Sequence, residues 1–124
     1  MQFPEPKDDR NYIWTSHSKR KLFQYGLTPN VVKRAIKHAD RKEEGIAEET
    51  IAIMKDKSTK ATKKELWVMY QKVKFRKRII SAWVYPGKTK PGAEIYVPDE
   101  VWEEIQNIPT NPQSNNEVIY LPKG

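Results

Sequence analysis

With 124 residues, 37% of them hydrophobic, the chain has apolar side chains enough for one compact core and too few for two. It holds no cysteine, which excludes a disulfide framework and a thiolate metal site and suits a reducing compartment. The formal charge of +7 points to an anionic partner. Residues 1–10 lack the apolar stretch of a secretory signal, and the longest uncharged apolar run, residues 66–70, is far too short to span a bilayer, so a soluble cytoplasmic protein with no membrane partner is expected.

Residues 1–11 read as an N-terminal extension, residues 12–92 as the core domain and residues 93–124 as a C-terminal extension whose short acidic helix packs on the core. Residues 11–14 suit a short strand. Thr15 or Ser16 then caps a helix that begins near His17, faces Leu22 and Phe23 to the core and closes at Gly26. Thr28 and Pro29 are the cap and first-turn proline of a second helix, in which Val32, Ala35, Ile36 and Ala39 fall at i, i+3, i+4 and i+7. Residues 40–45 read as its exit loop.

The periodicity then becomes extended. Residues 50–54, 65–70 and 78–85 are rich in β-branched and aromatic residues and predict three consecutive antiparallel strands. The middle one, apolar on both faces, is central. Pro98 and Asp99 open a short helix with Val101, Trp102, Ile105 and Ile108 on one face, and Pro109 and Pro112 stop it. Residues 118–121 return as an edge strand or lie on the core. The expected class is α+β: two N-terminal helices packed on a three- to four-stranded antiparallel sheet, with a short C-terminal helix.

Charge is concentrated in residues 55–78, where ten lysines and arginines face only Asp56 and Glu65, a net +8 against +7 for the whole chain. Carried by apolar strands, such a run holds phosphates in fixed geometry, which makes nucleic acid the leading partner. The alternative is that the lysines only guard a sheet edge against aggregation.

The run His17-Ser18-Lys19-Arg20-Lys21-Leu22-Phe23-Gln24-Tyr25-Gly26-Leu27-Thr28, followed by Val32, Ala35 and Ile36, resembles the opening of a family of small bacterial and phage domains related to the RelE, ParE and BrnT toxins. That pattern has a histidine, a nearby arginine, a turn glycine between helices and strands ending in an aromatic run, matched here by residues 66–70 and 79–85. Ser18 and Tyr25 depart from it, the latter replacing an arginine. The resemblance implies a compact toxin-like α+β fold, an acidic antitoxin-like protein as partner and, by analogy, RNA cleavage or inhibition of a machine that handles nucleic acid.

Metal-independent RNA cleavage needs a proton-transfer group, cations for the phosphate and an acid for the leaving oxygen. His17 with Arg20 and Lys21 on one helical face, Arg78, and Tyr85 at the end of the third strand are the residues that fit: His17 for proton transfer, Arg20 and Arg78 for phosphate, Tyr85 for stacking or proton transfer. Lys21, Lys72, Lys74, Arg76 and Lys77 supply further phosphate contacts. Each has a structural alternative: His17 caps or packs, Arg20 pairs with Asp40 or Glu43, and Trp67, Trp83 and Tyr70 belong to the core. No cofactor is expected, and the carboxylates at positions 43, 44, 48 and 49 lack the spacing of a metal site. Two non-enzymatic readings stay open. One is a helix-turn-helix about Gly26 presenting Asn30, Lys33, Arg34 and Lys37 to DNA. The other is a basic sheet that binds an acidic protein, or that the acidic helix at 99–104 folds back upon and masks.

Overall fold

The computed structural model describes residues 5–44, 46–90 and 94–106. Three helices and five strands follow in the order β1 (Tyr12–Trp14), α1 (Ser16–Tyr25), α2 (Pro29–Lys37), β2 (Arg41–Glu44), β3 (Thr50–Asp56), β4 (Glu65–Val73), β5 (Arg76–Tyr85) and α3 (Asp99–Gln106). The class is α+β as expected, but the sheet is larger and mixed. Its order is β1-β5-β4-β3-β2, with β1 parallel to β5 and every other pair antiparallel. Residues 108–112 and 118–121, where a helix stop and a returning strand are expected, lie outside the described residues, as do Gly45 and Gly92.

The helix ends follow the chemistry of their caps. Thr15 is extended and its hydroxyl accepts from the Ser18 amide at 3.0 Å, while Gly26, at φ 67°, takes the left-handed conformation that closes α1 without steric cost. Thr28 accepts from the Val31 amide at 3.2 Å with Pro29 in the first turn of α2, where its missing N–H has no partner to lose.

β4 is central, as its two-sided apolar character predicts. Leu66, Val68 and Tyr70 face one core with Tyr12, Trp14, Leu22, Val32 and Ala35; Trp67 and Met69 face a second with Ile80, Trp83, Val101 and Ile105. The two predicted N-terminal helices therefore do not simply cover one face. α2 lies on the first face against β3 and β4 and α3 on the second against β5. β1 pairs only with Lys77–Ile79 of β5, and α1 packs along that strand where β1 leaves off, putting Leu22 in the first core and Tyr25 against the second, while Phe23, expected to face the core beside Leu22, is 70% exposed. The segment read as an exit loop is the edge strand β2. A bulge between β4 and β5 pairs Tyr70 with Ile79 but Met69 with Ser81. The extra residue, Ile80, turns Ser81 to the second face, opposite to where strict alternation would send it.

Trp67 and Trp83 are fully buried and stacked, 6.2 Å between centroids, so with the buried Tyr70 they belong to the core and are not stacking platforms. Glu65, 1% exposed, accepts from Trp67 Nε1 at 3.1 Å, from the Thr89 amide at 3.0 Å and from the Thr89 hydroxyl at 3.0 Å. Glu65→Ala removes the acceptor and is expected to cost about 2–3 kcal/mol in urea unfolding, because buried donors without partners are expensive. Glu65→Gln keeps an acceptor and should recover part of it; equal losses in the two variants would argue against this role.

Candidate functional site

The ten cations of residues 55–78 do not form one surface. β4 runs nine residues between them, about 30 Å at a strand's rise per residue. Lys57, Lys60, Lys63 and Lys64 ring the β3–β4 loop at one end; Lys72, Lys74, Arg76, Lys77 and Arg78 crowd the β4–β5 hairpin at the other. Near the first end, acidic groups intervene: Asp56 takes Lys88 at 2.9 Å, and Asp40 takes Lys55 at 3.5 Å.

The loop lysines Lys57, Lys60, Lys63 and Lys64 themselves form no ion pair among the described residues, and at the hairpin end Asp9, next to Arg10, pairs with Lys33 at 3.4 Å. Among the described residues none of Arg10, Lys72, Lys74, Arg76, Lys77 or Arg78 forms an ion pair. Arg76 Nη1 donates to the Asp9 carbonyl at 3.5 Å, Arg78 Nη1 to Gln71 Oε1 at 3.3 Å, and Lys77 sits over the Tyr70 ring at 5.8 Å. Lys72 and Lys77 are direct cross-strand partners, a like-charge arrangement that destabilises a sheet unless an anion relieves it.

The turn itself is two residues long, Lys74 and Phe75, between the paired Val73 and Arg76. Lys74 has φ 58°, the left-handed region that glycine occupies freely and a lysine only at a cost of about 1 kcal/mol or more. Phe75 projects from the tip, 93% exposed. Beside it lies a cleft lined by Arg10, Asn11, Ile13, Val73, Lys74, Phe75 and Arg76. The neighbouring N-terminal segment is held by Asp9, whose Oδ1 accepts from the Asn11 and Tyr12 amides at 2.8 Å each, and by Asp8, which accepts from the Trp14 amide at 2.8 Å. Those amide bonds hold the Asp9 carboxyl below the usual range.

The four residues proposed for catalysis are not brought together. Arg78 lies opposite Ile13 at the hairpin end. Tyr85 ends β5 seven residues on, about 23 Å away, and packs on Tyr96 with ring centroids 5.9 Å apart. Arg20 is exposed on α1; its anticipated partners are taken, Asp40 by Lys55 and Glu43 by Arg41. His17 is 6% exposed, its Nε2 2.9 Å from Ser81 Oγ and its Nδ1 3.8 Å from Glu104 Oε1. Burial first, then Lys21 and Arg20, push its pKa down to about 4, while burial raises that of Glu104. The imidazole is thus neutral, and its contact with Glu104 is not an ion pair despite the distance.

Ser81, His17 and Glu104 are in the order nucleophile, base and orienting carboxylate, a series that spacing along the chain conceals because the bulge turns Ser81 inward. Ser81 is fully buried, however, and no substrate carbonyl can approach it. The series ties α1 to β5 and α3. Lys21, expected to contact phosphate, is also buried and donates to Glu100 and to Gln24 Oε1 at 3.0 Å, so it joins α1 to α3. The acidic helix accordingly engages the cations of α1, not the hairpin, and does not mask the basic end.

Sequence reasoning missed Phe75, Arg10 and Asn11. The run Val73-Lys74-Phe75-Arg76 carries a signal for Phe75 alone, an aromatic residue between cations where a turn must fall, and nothing in the sequence links Arg10 and Asn11 to it. Among the described residues no three or more His, Asp or Glu side chains gather to hold a metal ion, and no helix is long and apolar enough to cross a membrane. Compared with known proteins, the chain matches no family model, no curated protein and no solved structure.

Proposed function

We propose that this protein is a nucleic-acid-binding module of the toxin-like kind its sequence resembles, and that the β4–β5 hairpin end grips the phosphate backbone of RNA. One observation carries the reading: six cations gather around the hairpin, none of them in an ion pair among the described residues, and two of them face each other directly across the strands. Binding is better supported than cleavage, since only Arg78 of the four catalytic candidates stands at that end and the histidine is sealed beneath α3.

The test is titration of end-labelled mixed-sequence RNA in EDTA at several salt concentrations, resolving retarded from shortened species. Retarded, intact RNA is expected, with affinity falling as salt rises. Lys74→Ala with Arg76→Ala should lower the salt slope by about 1.4, the effect of two lost phosphate contacts on a single strand. Lys60→Ala with Lys63→Ala, at the far end of the sheet, should leave the slope unchanged. Equal effects of the two pairs would overturn the assignment of the hairpin. RNA shortened by the wild type but not by Arg78→Ala would instead establish a metal-independent ribonuclease.

A further inference from the structure

We infer that the cleft beside the hairpin tip is a subsite for one unpaired nucleotide, its base laid against Phe75, Ile13 and Val73 and its phosphate held by Arg10, Arg76 and Lys74. The inference rests on the nucleic-acid reading above and narrows it to single strands, or to bases extruded from a duplex.

Three features of the cleft define the chemistry. Its lining includes the apolar side chains of Ile13, Val73 and Phe75, which suit a flat ring. The same lining includes three cations and, among the described residues, no carboxylate, which suits an anion attached to that ring. It also includes Asn11, whose backbone is engaged with Asp9 and Lys77 and whose carboxamide makes no hydrogen bond among the described residues. A carboxamide both donates and accepts, so it can read the polar edge of a base. A planar apolar ring with a hydrogen-bonding edge and a phosphate is a nucleotide. Bases stacked inside a duplex present neither face to Phe75, whereas an unpaired base presents both.

Phe75 is also free to do this. It is 93% exposed and fills no core, and the left-handed φ of 58° at Lys74 fixes the tight turn that thrusts it outward. A bilayer is the other surface that attracts an aromatic residue among cations. Membrane-seated segments use a broad apolar face, whereas here a single side chain projects beside a concave, amide-bearing cleft, which favours the nucleotide.

The experiment compares three ligands at one salt concentration by fluorescence anisotropy: a short single-stranded RNA, the same strand in a blunt duplex, and an abasic strand with the same phosphates. Wild type is expected to prefer the single strand to the abasic one by about tenfold, the scale of one stacked base. Phe75→Ala should abolish that preference while keeping the salt slope, and Phe75→Trp should restore it. Since Phe75 supports no packing, the variants retain the fold. An undiminished preference in Phe75→Ala, with Lys74→Ala and Arg76→Ala still weakening binding, would overturn the subsite and leave the binding function standing. No salt-dependent binding to any of the three would overturn both. Phe75-dependent binding to phosphatidylserine vesicles, with equal affinity for the single and abasic strands, would also overturn the subsite.

Discussion

A chain ending at residue 97 is expected to lose cooperative folding altogether. The sequence allows the opposite outcome, in which the acidic C-terminal helix is a removable mask over a basic face. The packing decides the matter. Val101 is fully buried and Ile105 6% exposed, and together they close the second core over Ile80, Trp67 and Trp83. Burial of the two aliphatic side chains alone contributes about 3–6 kcal/mol, a large share of the roughly 5–15 kcal/mol that holds a small domain together. Removal would also bare two stacked tryptophans and the His17–Ser81 pair. Tryptophan fluorescence and circular dichroism in urea check this: a sloping, non-cooperative profile is expected for the truncation, and a cooperative but weakened one for Val101→Ala. A folded truncation with tighter RNA binding would return the helix to the role of a mask.

The second large effect is on acid stability. His17 is neutral in the folded protein, with its pKa lowered from 6.5 to about 4 chiefly by burial and then by Lys21 and Arg20, against a smaller opposing pull from Glu100. The unfolded chain takes up the proton near the ordinary value, so between about 4 and 6.5 the unfolded state holds more protons. Stability is therefore complete above about pH 6.5 and declines as pH falls toward 4, by about 3 kcal/mol in all. Glu104 acts with the opposite sign in the carboxylate range, because burial keeps it protonated longer in the folded state; it offsets the lower end of the decline. Asp9 and Asp56 have depressed values and lose their contributions only at still lower pH. The urea midpoint of the wild type should fall between neutral pH and about pH 4.5, and His17→Gln should flatten that decline. Parallel pH profiles for the two proteins would remove His17 as its cause.

Much of this fold is legible because single residues enforce it. Thr15, Gly26, Thr28 and Pro29 bracket the first two helices, and the unbroken apolar run at residues 66–70 marks the central strand. Three features escaped for identifiable reasons. Arg41–Glu44 carries four charges and so resembles a loop, yet this is what an edge strand needs to repel further sheets. The parallel pairing of β1 depends on a partner far along the chain. The bulge at Ile80 inverts the facing of Ser81, and no alternation rule reveals an inserted residue. The candidate site suffered from a different loss: a count of charge along the sequence joins the two ends of β4, which the strand's own length holds apart. Residue types pointed to an anionic partner for the basic end, but only geometry separates Arg78 from Tyr85 and brings Phe75 and Ile13 to one cleft.

The pairing of β1 with β5 also bears on the order in which the molecule assembles. Thr15 and Ile79 are bonded across 64 positions of chain, whereas β3, β4 and β5 join through short connections. Loop-closure entropy makes the local hairpins the early structure and the N-terminal strand a late arrival. Arg10, Asn11 and Ile13 come with that strand, so one wall of the cleft is erected after the meander already stands. Detachment of the same segment would dismantle the proposed subsite while the central three strands remained intact, so a ligand in the cleft would stabilise the docking of the N-terminus.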